Sequence, residues 1–238
     1  MPQFNGLDLE ENTTGRDFLC ADIHGKFDPL LNALSYVEFN KDDRLFLLGD
    51  LCDRGKQNLE TLDFLNTHDN VYSVLGNHEQ FCLKGYDIYE NPQHDIINTH
   101  IYNGGGWWYD VDMQHPEKRK KYYDIMNSMY DFMTVKVNGK KIGLCHAEPL
   151  ADWNDMYKNF VKHDYMENVN TVFWSRYYVN ELLPNIKPIE NIDLVFCGHT
   201  PMLYATEPKQ KHNVYFCDNA YWYTDGEPLL INLSDFVV

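Results

Sequence analysis

Residues 44–55 read RLFLLGDLCDRG, and this stretch contains the pattern from which the fold is predicted. The apolar run Arg44–Leu48 stops at a glycine, and three polar side chains, Asp50, Asp53 and Arg54, follow closely. A short apolar run that ends at a glycine is typical of a buried β-strand. Open α/β sheets bind their ligands beyond the carboxyl ends of their strands. The stretch therefore predicts a strand with candidate functional residues at its end.

The same pattern occurs on both sides of this stretch. Residues 17–25 read DFLCADIHG and residues 71–79 read VYSVLGNHE, so each apolar run again ends in polar residues. The positions Asp22, Asp50 and Asn77 are 28 and 27 residues apart, which is close to the size of a strand–helix–strand unit. We therefore predict an α/β fold in which central β-sheets are flanked by helices and the strand ends meet at one cleft.

The composition excludes several classes of protein. The 238 residues include 20 basic and 36 acidic side chains, a net charge of −16, whereas a nucleic-acid partner requires a basic face. No apolar run approaches the roughly 18–20 residues that span a membrane, and residues 1–15 do not resemble a signal peptide. We expect a cytoplasmic protein without a membrane partner.

The length of the chain favours a single domain over 1–238, with a polar lead at 1–15 and a helical or loop insertion at 86–135.

The side chains that follow the predicted strands are oxygen and imidazole donors. Such donors suit manganese, iron or zinc, and a central carboxylate can bridge two ions a few Å apart. A pair of ions activates water for in-line displacement at phosphorus. None of the six cysteines is followed by arginine six positions later, so a thiolate nucleophile is not expected. The sequence therefore predicts a two-metal phosphoester hydrolase. Its candidate metal ligands are Asp22, His24, Asp50, Asn77, His146 and His199.

Three blocks of the chain, at 22–25, 49–55 and 76–79, resemble the signature blocks of the phosphoprotein phosphatase family of serine/threonine phosphatases, in the metallophosphoesterase superfamily. The wider chain is similar to the bacterial and bacteriophage branch of that family. There the sequences NGGGW at 103–107 and FCGHTP at 196–201 have counterparts, and the resemblance runs from about residue 17 to 220. It implies a metallophosphoesterase-type fold with a dimetal site at the C-terminal ends of the strands.

The resemblance also implies a role for each metal ligand. The first ion would be held by Asp22, His24 and Asp50. The second ion would be held by Asp50, Asn77, His146 and His199, with Asp50 as the bridge. The expected ions are manganese, with iron or zinc as alternatives.

Four further residues carry implied roles in binding and catalysis. His78 would protonate the leaving oxygen, with Asp53 orienting its ring, and Arg54 and Arg176 would hold the phosphoryl oxygens. The physical reasons agree, because a serine or threonine alkoxide leaves poorly without a proton and the planar guanidinium suits phosphate. The remaining histidines are expected to be structural or at the surface: His68, His94, His100, His115, His163 and His212.

The leading interpretation is a metal-dependent protein serine/threonine phosphatase that acts on phosphorylated proteins or peptides. One departure supports an alternative, since Leu75 stands where many members of the family have an arginine. The related symmetrical dinucleoside tetraphosphatases often have an apolar residue there, so hydrolysis of dinucleoside tetraphosphates is the second hypothesis. A non-catalytic pseudo-phosphatase that binds partners is the third, and it would be favoured by a missing ligand, whereas none is missing. The pattern carries no signal for the oligomeric state.

Overall fold

The computed structural model describes residues 3–86, 94–180 and 186–237. In this part of the chain the strands are Gly6–Leu9 (β1), Asp17–Cys20 (β2), Arg44–Leu47 (β3), Val71–Ser73 (β4), Phe132–Val137 (β5), Lys140–Cys145 (β6), Leu194–Cys197 (β7), Lys209–Lys211 (β8), Val214–Phe216 (β9) and Ile231–Asn232 (β10). The α-helices are Phe27–Tyr36 (α1), Asn58–Thr67 (α2), Asn77–Lys84 (α3), His94–Tyr102 (α4), Pro116–Asn127 (α5), Lys162–Trp174 (α6) and Tyr221–Thr224 (α7). Short 3₁₀ helices lie at Gly105–Tyr109, Val111–Gln114, Trp153–Tyr157 and Leu233–Phe236.

The strands form two sheets. One has the order β10-β2-β3-β4, and the other has the order β1-β5-β6-β7-β9-β8. In the first sheet β2, β3 and β4 run parallel, and α1 and α2 connect them, so the predicted strand–helix–strand units are confirmed. In the second sheet β6, β7 and β9 run parallel. The carboxyl ends of these parallel strands carry the residue blocks that the sequence singled out.

Alternate residues along the strands pack into two hydrophobic clusters, as the two-residue period of a strand requires. Leu19 and Phe46 of the first sheet pack together with Leu144 and Phe196 of the second, in a layer between the sheets. Their neighbours Phe18, Cys20, Leu45 and Leu47 belong to another cluster, together with Leu30, Leu34 and Leu62 of the helices. The α/β arrangement of central sheets flanked by helices is therefore as predicted.

The segment between β4 and β5 is mainly helical where it is described. Part of the range 86–135 that we predicted to be an insertion, at 87–93, lies outside the described residues, as do residues 1–2 of the predicted polar lead. Helix α5, Pro116–Asn127, lies within this predicted insertion. Proline suits the first turn of this helix, because its missing N–H would be unpaired there in any case. The helix ends before Tyr130, which instead forms an isolated parallel bridge with Val74.

Among the described residues, no helix combines the length and the apolar character needed to cross a membrane.

Candidate metal centre and acid site

The loops after β2, β3, β4, β6 and β7 bring all six predicted metal ligands to one edge of the molecule. Each of them is buried, although a folded protein normally keeps such side chains at its surface. They are the residues Asp22, His24, Asp50, Asn77, His146 and His199. The prediction that these strand ends converge is therefore confirmed by the geometry.

The donors form two groups that share one carboxylate. His24, Asp50 and His78 place one ligand atom each within 4.8 Å of one another, and so do Asp50, His146 and His199. Asp50 presents a different oxygen to each side, with Oδ2 at 3.6 Å from Nε2 of His24 and Oδ1 at 3.4 Å from Nε2 of His146. The geometry thus places Asp50 between the two groups.

The other two predicted ligands lie next to these groups. Oδ2 of Asp22 lies 3.9 Å from Nε2 of His24, and Oδ1 of Asn77 lies 2.9 Å from Nε2 of His146. The chain passes Asp22 very closely at Gly198, where an added Cβ would lie 2.3 Å from Oδ1 of that carboxylate. This close approach explains why a glycine precedes His199.

Several residues of the site have a left-handed backbone conformation, which residues other than glycine rarely adopt. His24, Asp50, Asp53, Arg54 and His199 all have positive φ angles, between 47° and 72°. Such residues cost free energy and are found mainly where the surrounding structure compensates, often at functional sites.

Glu79 is the main support of the central loop, and the sequence analysis assigned it no role. Its carboxylate accepts hydrogen bonds from the backbone N–H groups of Asp50, Leu51 and Gly76, at 2.9, 2.8 and 2.9 Å. The block GNHE therefore has a structural member as well as the candidate ligand Asn77 and the candidate acid His78. The sequence signal for this role was present, because Glu79 is the third helical residue after the N-cap residue Gly76, a position from which a glutamate commonly accepts a hydrogen bond from the N-cap N–H.

The electrostatics of the buried groups fit a divalent cation. Burial, together with His78, lowers the pKa of His24 well below its ordinary value. Burial also lowers the pKa of His146 and, with the neighbouring His146, that of His199 to about 2. Imidazoles that are neutral at physiological pH are in the form that coordinates metals.

The carboxylates of the site are crowded. Burial and the charges of Asp218 and Asp50 raise the pKa of Asp22 well above its ordinary value. Burial raises the pKa of Asp218 to about 6, and Oδ2 of Asp218 is buried without a hydrogen-bond partner. Mutually repelling carboxylates next to neutral imidazoles are a donor set that a divalent cation would satisfy. The residues present therefore fit a metal centre, and Asp218, which follows the apolar run at 214–217, is a further carboxylate in its surroundings.

His78, a member of the first donor group, also forms a pair with Asp53. Nδ1 of His78 donates to Oδ2 of Asp53 at 2.6 Å, and the backbone N–H of His78 donates to Oδ1 of Asp50 at 3.0 Å. Burial opposes the charge of Asp53, but hydrogen bonds from His100 and His78 outweigh it and lower its pKa to about 2. The ionised carboxylate therefore accepts a hydrogen bond from the Nδ1 side of the His78 ring.

Two further side chains bind Asp53, and sequence reasoning missed both. Nε1 of Trp107 donates to Oδ1 at 2.7 Å, and Nε2 of His100 donates to Oδ2 at 2.9 Å. Three of the other histidines, His68, His115 and His212, are exposed, as expected. The side chains of His94 and His163 lie outside the described residues.

The two predicted phosphate-binding arginines line a cleft of about 130 Å³, together with side chains from both donor groups. NH2 of Arg54 lies 3.1 Å from Nε2 of His78, and its guanidinium stacks over Trp222 at 4.3 Å. NH2 of Arg176 donates to the carbonyl of His199 at 2.9 Å. Both arginines are exposed, so they are available to an anion. The indoles of Trp174 and Trp222 also line this cleft.

Leu75, by contrast, is not part of the cleft. Its side chain is buried in the hydrophobic cluster beneath the helices, and its backbone N–H donates to the carbonyl of Tyr130 at 2.7 Å. The position at which many related phosphatases have an arginine is therefore used for packing in this chain.

Comparisons with known proteins agree with this geometry. The family model for calcineurin-like phosphoesterases matches residues 18–203. Serine/threonine-protein phosphatase 2 of Salmonella typhimurium is 31% identical over 202 residues, covering 84% of this chain and 86% of that protein. The symmetrical bis(5'-nucleosyl)-tetraphosphatase of Buchnera aphidicola is 29% identical over 203 residues, covering 79% of this chain and 68% of that protein.

The fold is also similar to that of a cold-active protein tyrosine phosphatase. The TM-score is 0.59 at 19% identity, with 97% of this chain and 75% of that chain covered. At this identity the likeness concerns the fold alone. The family model spans most of the chain, and the chain therefore belongs to the calcineurin-like phosphoesterases, a family of metallophosphoesterase hydrolases.

Proposed function

We propose that this chain is a metal-dependent protein phosphatase that hydrolyses phosphoserine and phosphothreonine, with water as the nucleophile. The observation that carries the proposal is the His78–Asp53 pair, in which His78 lies next to Asp50 and lines the cleft together with both arginines. A positioned acid contributes most when the leaving group is a poor one, and a serine or threonine alkoxide is very poor. The nucleoside diphosphate that leaves in symmetrical cleavage of a dinucleoside tetraphosphate is a much better leaving group and needs the proton much less.

In this proposal Asp22, His24 and Asp50 hold one divalent ion. Asp50, Asn77, His146 and His199 hold the other. Two such ions would supply Lewis-acid chemistry and charge neutralisation for displacement at phosphorus. Manganese is the proposed ion, and iron or zinc would suit the same oxygen and imidazole donors.

The protein side chains would bind and protonate the substrate. Arg54 and Arg176 would bind the phosphoryl oxygens, because both guanidinium groups are exposed at the cleft. His78 would give its proton to the leaving oxygen, while Asp53 keeps the ring in place. The cleft of about 130 Å³ suits a phosphoryl group on a short side chain.

The proposed partners are phosphorylated proteins or peptides in the cytoplasm. The net charge of −16 opposes binding to nucleic acid and to anionic membrane surfaces. It also makes the two arginines and the metal ions the main local attraction for a phosphate.

Hydrolysis of dinucleoside tetraphosphates is the second candidate, and two observations favour it. Leu75 packs in the core, so the chain lacks the arginine that many protein phosphatases have at this position. Trp174 and Trp222 line the cleft, and indole rings can stack on nucleobases.

A substrate panel on one preparation separates the two candidates. Phosphoserine, phosphothreonine and phosphotyrosine peptides and diadenosine tetraphosphate would be compared, with manganese, magnesium, zinc and iron in turn. The Asp50→Asn variant supplies the background rate. We expect the highest kcat/KM on a phosphoserine or phosphothreonine peptide with manganese. A higher kcat/KM on diadenosine tetraphosphate would overturn the proposal in favour of the second candidate, and no turnover of any substrate would favour a pseudo-phosphatase.

A further inference from the structure

One carboxylate oxygen of Asp53 accepts hydrogen bonds from two imidazole rings. Oδ2 accepts from Nδ1 of His78 at 2.6 Å and from Nε2 of His100 at 2.9 Å, and all three side chains are buried. His100 comes from α4, 47 residues away in sequence, and does not line the cleft as His78 does. The second ring therefore cannot touch a substrate directly, but it touches the group that orients the candidate acid.

The surroundings of His100 hold its ring firmly. Phe81 stacks against it, with ring centroids 5.3 Å apart and planes inclined by 17°. Sγ of Cys82 lies 3.8 Å from Nε2, and the hydroxyl of Tyr109 lies 3.0 Å from Nδ1. The contact with Tyr109 engages Nδ1, so Nε2–H points at Asp53.

The glycine-rich turn after α4 leaves room for this ring. A Cβ atom added to Gly105 would lie 1.9 Å from the His100 ring, which is an impossible contact. A Cβ atom added to the next residue, Gly106, would meet no heavy atom within 4 Å. The requirement for glycine at 105 is therefore a requirement to accommodate His100.

We propose that His100 is a positioning residue for acid catalysis, which acts through Asp53 to keep the His78 ring aimed at the leaving oxygen. The proposal rests on the assignment of His78 as the acid. A carboxylate that accepts from His78, His100 and Trp107 cannot rotate without breaking at least one hydrogen bond. Without His100, Oδ2 would accept a hydrogen bond from His78 alone. The Asp53 carboxylate and the His78 ring could then rotate together without breaking that hydrogen bond.

The charge of His100 strengthens this arrangement. Burial opposes the charge, but the neighbouring Cys82 and Asp53 outweigh it and raise the pKa of His100 to about 11. Among the described residues, the titratable groups with a contact to this ring are Asp53, Cys82 and Tyr109. A cationic His100 would remain paired with Asp53 after His78 has released its proton, so the carboxylate would never be left buried without a charged partner.

The test compares substrates that differ only in the leaving group. Phenyl phosphate, p-nitrophenyl phosphate and a phosphoserine peptide would be assayed with His100→Leu, which removes the donor, and His100→Gln, which keeps an N–H at a similar reach. We expect His100→Leu to lower kcat about 10- to 100-fold on the poor leaving groups, as is typical for the loss of an outer hydrogen-bond partner. KM and metal content should not change, the loss on p-nitrophenyl phosphate should be much smaller, and His100→Gln should recover most of the rate.

A matched glycine pair tests the same idea without changing His100. Gly105→Ala should displace the ring and reproduce the leaving-group pattern, whereas Gly106→Ala should behave as the wild type. The Nδ1–H proton of His78 supplies a readout that does not depend on activity. Its NMR signal should shift in His100→Leu and Gly105→Ala and stay in place in Gly106→Ala.

An equal loss on all leaving groups, or no loss, would overturn the positioning role of His100. So would an unshifted His78 signal in both His100→Leu and Gly105→Ala. Failure of the proposed function gives a different result, because the wild type would then hydrolyse the aryl phosphates but not the phosphoserine peptide. The comparison of the two aryl phosphates would still decide the role of His100.

Discussion

Oδ1 of Asp50 lies 3.4 Å from Nε2 of His146, and the other oxygen of the same carboxylate faces the opposite donor group. This relationship distinguishes Asp50 from Asp53, which lies three residues later and whose carboxylate accepts hydrogen bonds from His78, His100 and Trp107. One aspartate is thus placed to share its charge between two ions, and the other is placed to orient a ring.

The two aspartates should therefore respond differently to the same substitution. Asp50→Asn removes the negative charge common to both groups, and we expect this variant to lose bound metal. Asp53→Asn leaves every proposed ligand intact, so it should keep its metal and lose rate. Elemental analysis of both purified variants measures the difference, and equal retention of metal would refute the assignment.

Replacement of His78 should separate acid catalysis from metal binding. A general acid typically contributes ~10²–10⁴-fold, so His78→Asn should reduce hydrolysis of a phosphoserine peptide by a factor in this range. p-Nitrophenolate is stable near neutral pH, so hydrolysis of its phosphate ester should suffer much less. The basic limb of the pH profile on the peptide should also flatten. Loss of metal, or an equal fall on both substrates, would show that His78 is not the acid.

Removal of the metal should affect both activity and stability. The buried carboxylates of Asp22, Asp50 and Asp218 repel one another, and a bound cation relieves this repulsion. A ligand at 1,000 times its Kd stabilises the folded state by about 4 kcal/mol. Chelation should therefore abolish turnover and lower the thermal midpoint, and added manganese should restore both. Full turnover after exhaustive metal removal would contradict the two-metal proposal.

The two arginines at the cleft should contribute to the transition state. A hydrogen bond to a charged group typically contributes about 1.5–3 kcal/mol, so Arg54→Ala and Arg176→Ala should each lower kcat/KM accordingly. Arg54→Lys should recover only part of the loss, because an ammonium group cannot form the planar pair of hydrogen bonds. Steady-state kinetics on one peptide measures these effects. An unchanged kcat/KM would show that the substituted arginine does not bind the phosphoryl group.

Leu75→Arg should destabilise the fold rather than improve substrate binding. Leu75 is 9% exposed and belongs to the hydrophobic core, so a guanidinium there would be buried without a partner. Such substitutions cost more than about 2 kcal/mol. Leu31→Arg is the control, because Leu31 is 39% exposed. Urea unfolding of both variants checks the expectation; a stable Leu75→Arg variant with a lower KM for phosphopeptides would contradict it.

The sequence by itself determined the strand ends and therefore the candidate ligands. A buried strand and the polar residues after it are adjacent in the chain, so their pattern is local and can be read without knowledge of the fold. Parallel strands share one edge for their carboxyl ends, and this rule was sufficient to predict that Asp22, Asp50 and His146 meet.

Only the tertiary structure decided which residues surround these ligands. His100 and Trp107 reach Asp53 from 47 and 54 residues away, and each looks like an ordinary core or surface side chain in the sequence. Leu75 belongs to an apolar run and is buried in the core. Asp218 follows an apolar run and is buried beside the other carboxylates of the site. Contacts between distant segments depend on how helices and loops pack against one another. The hydrophobic periodicity of the sequence is local and does not predict that packing.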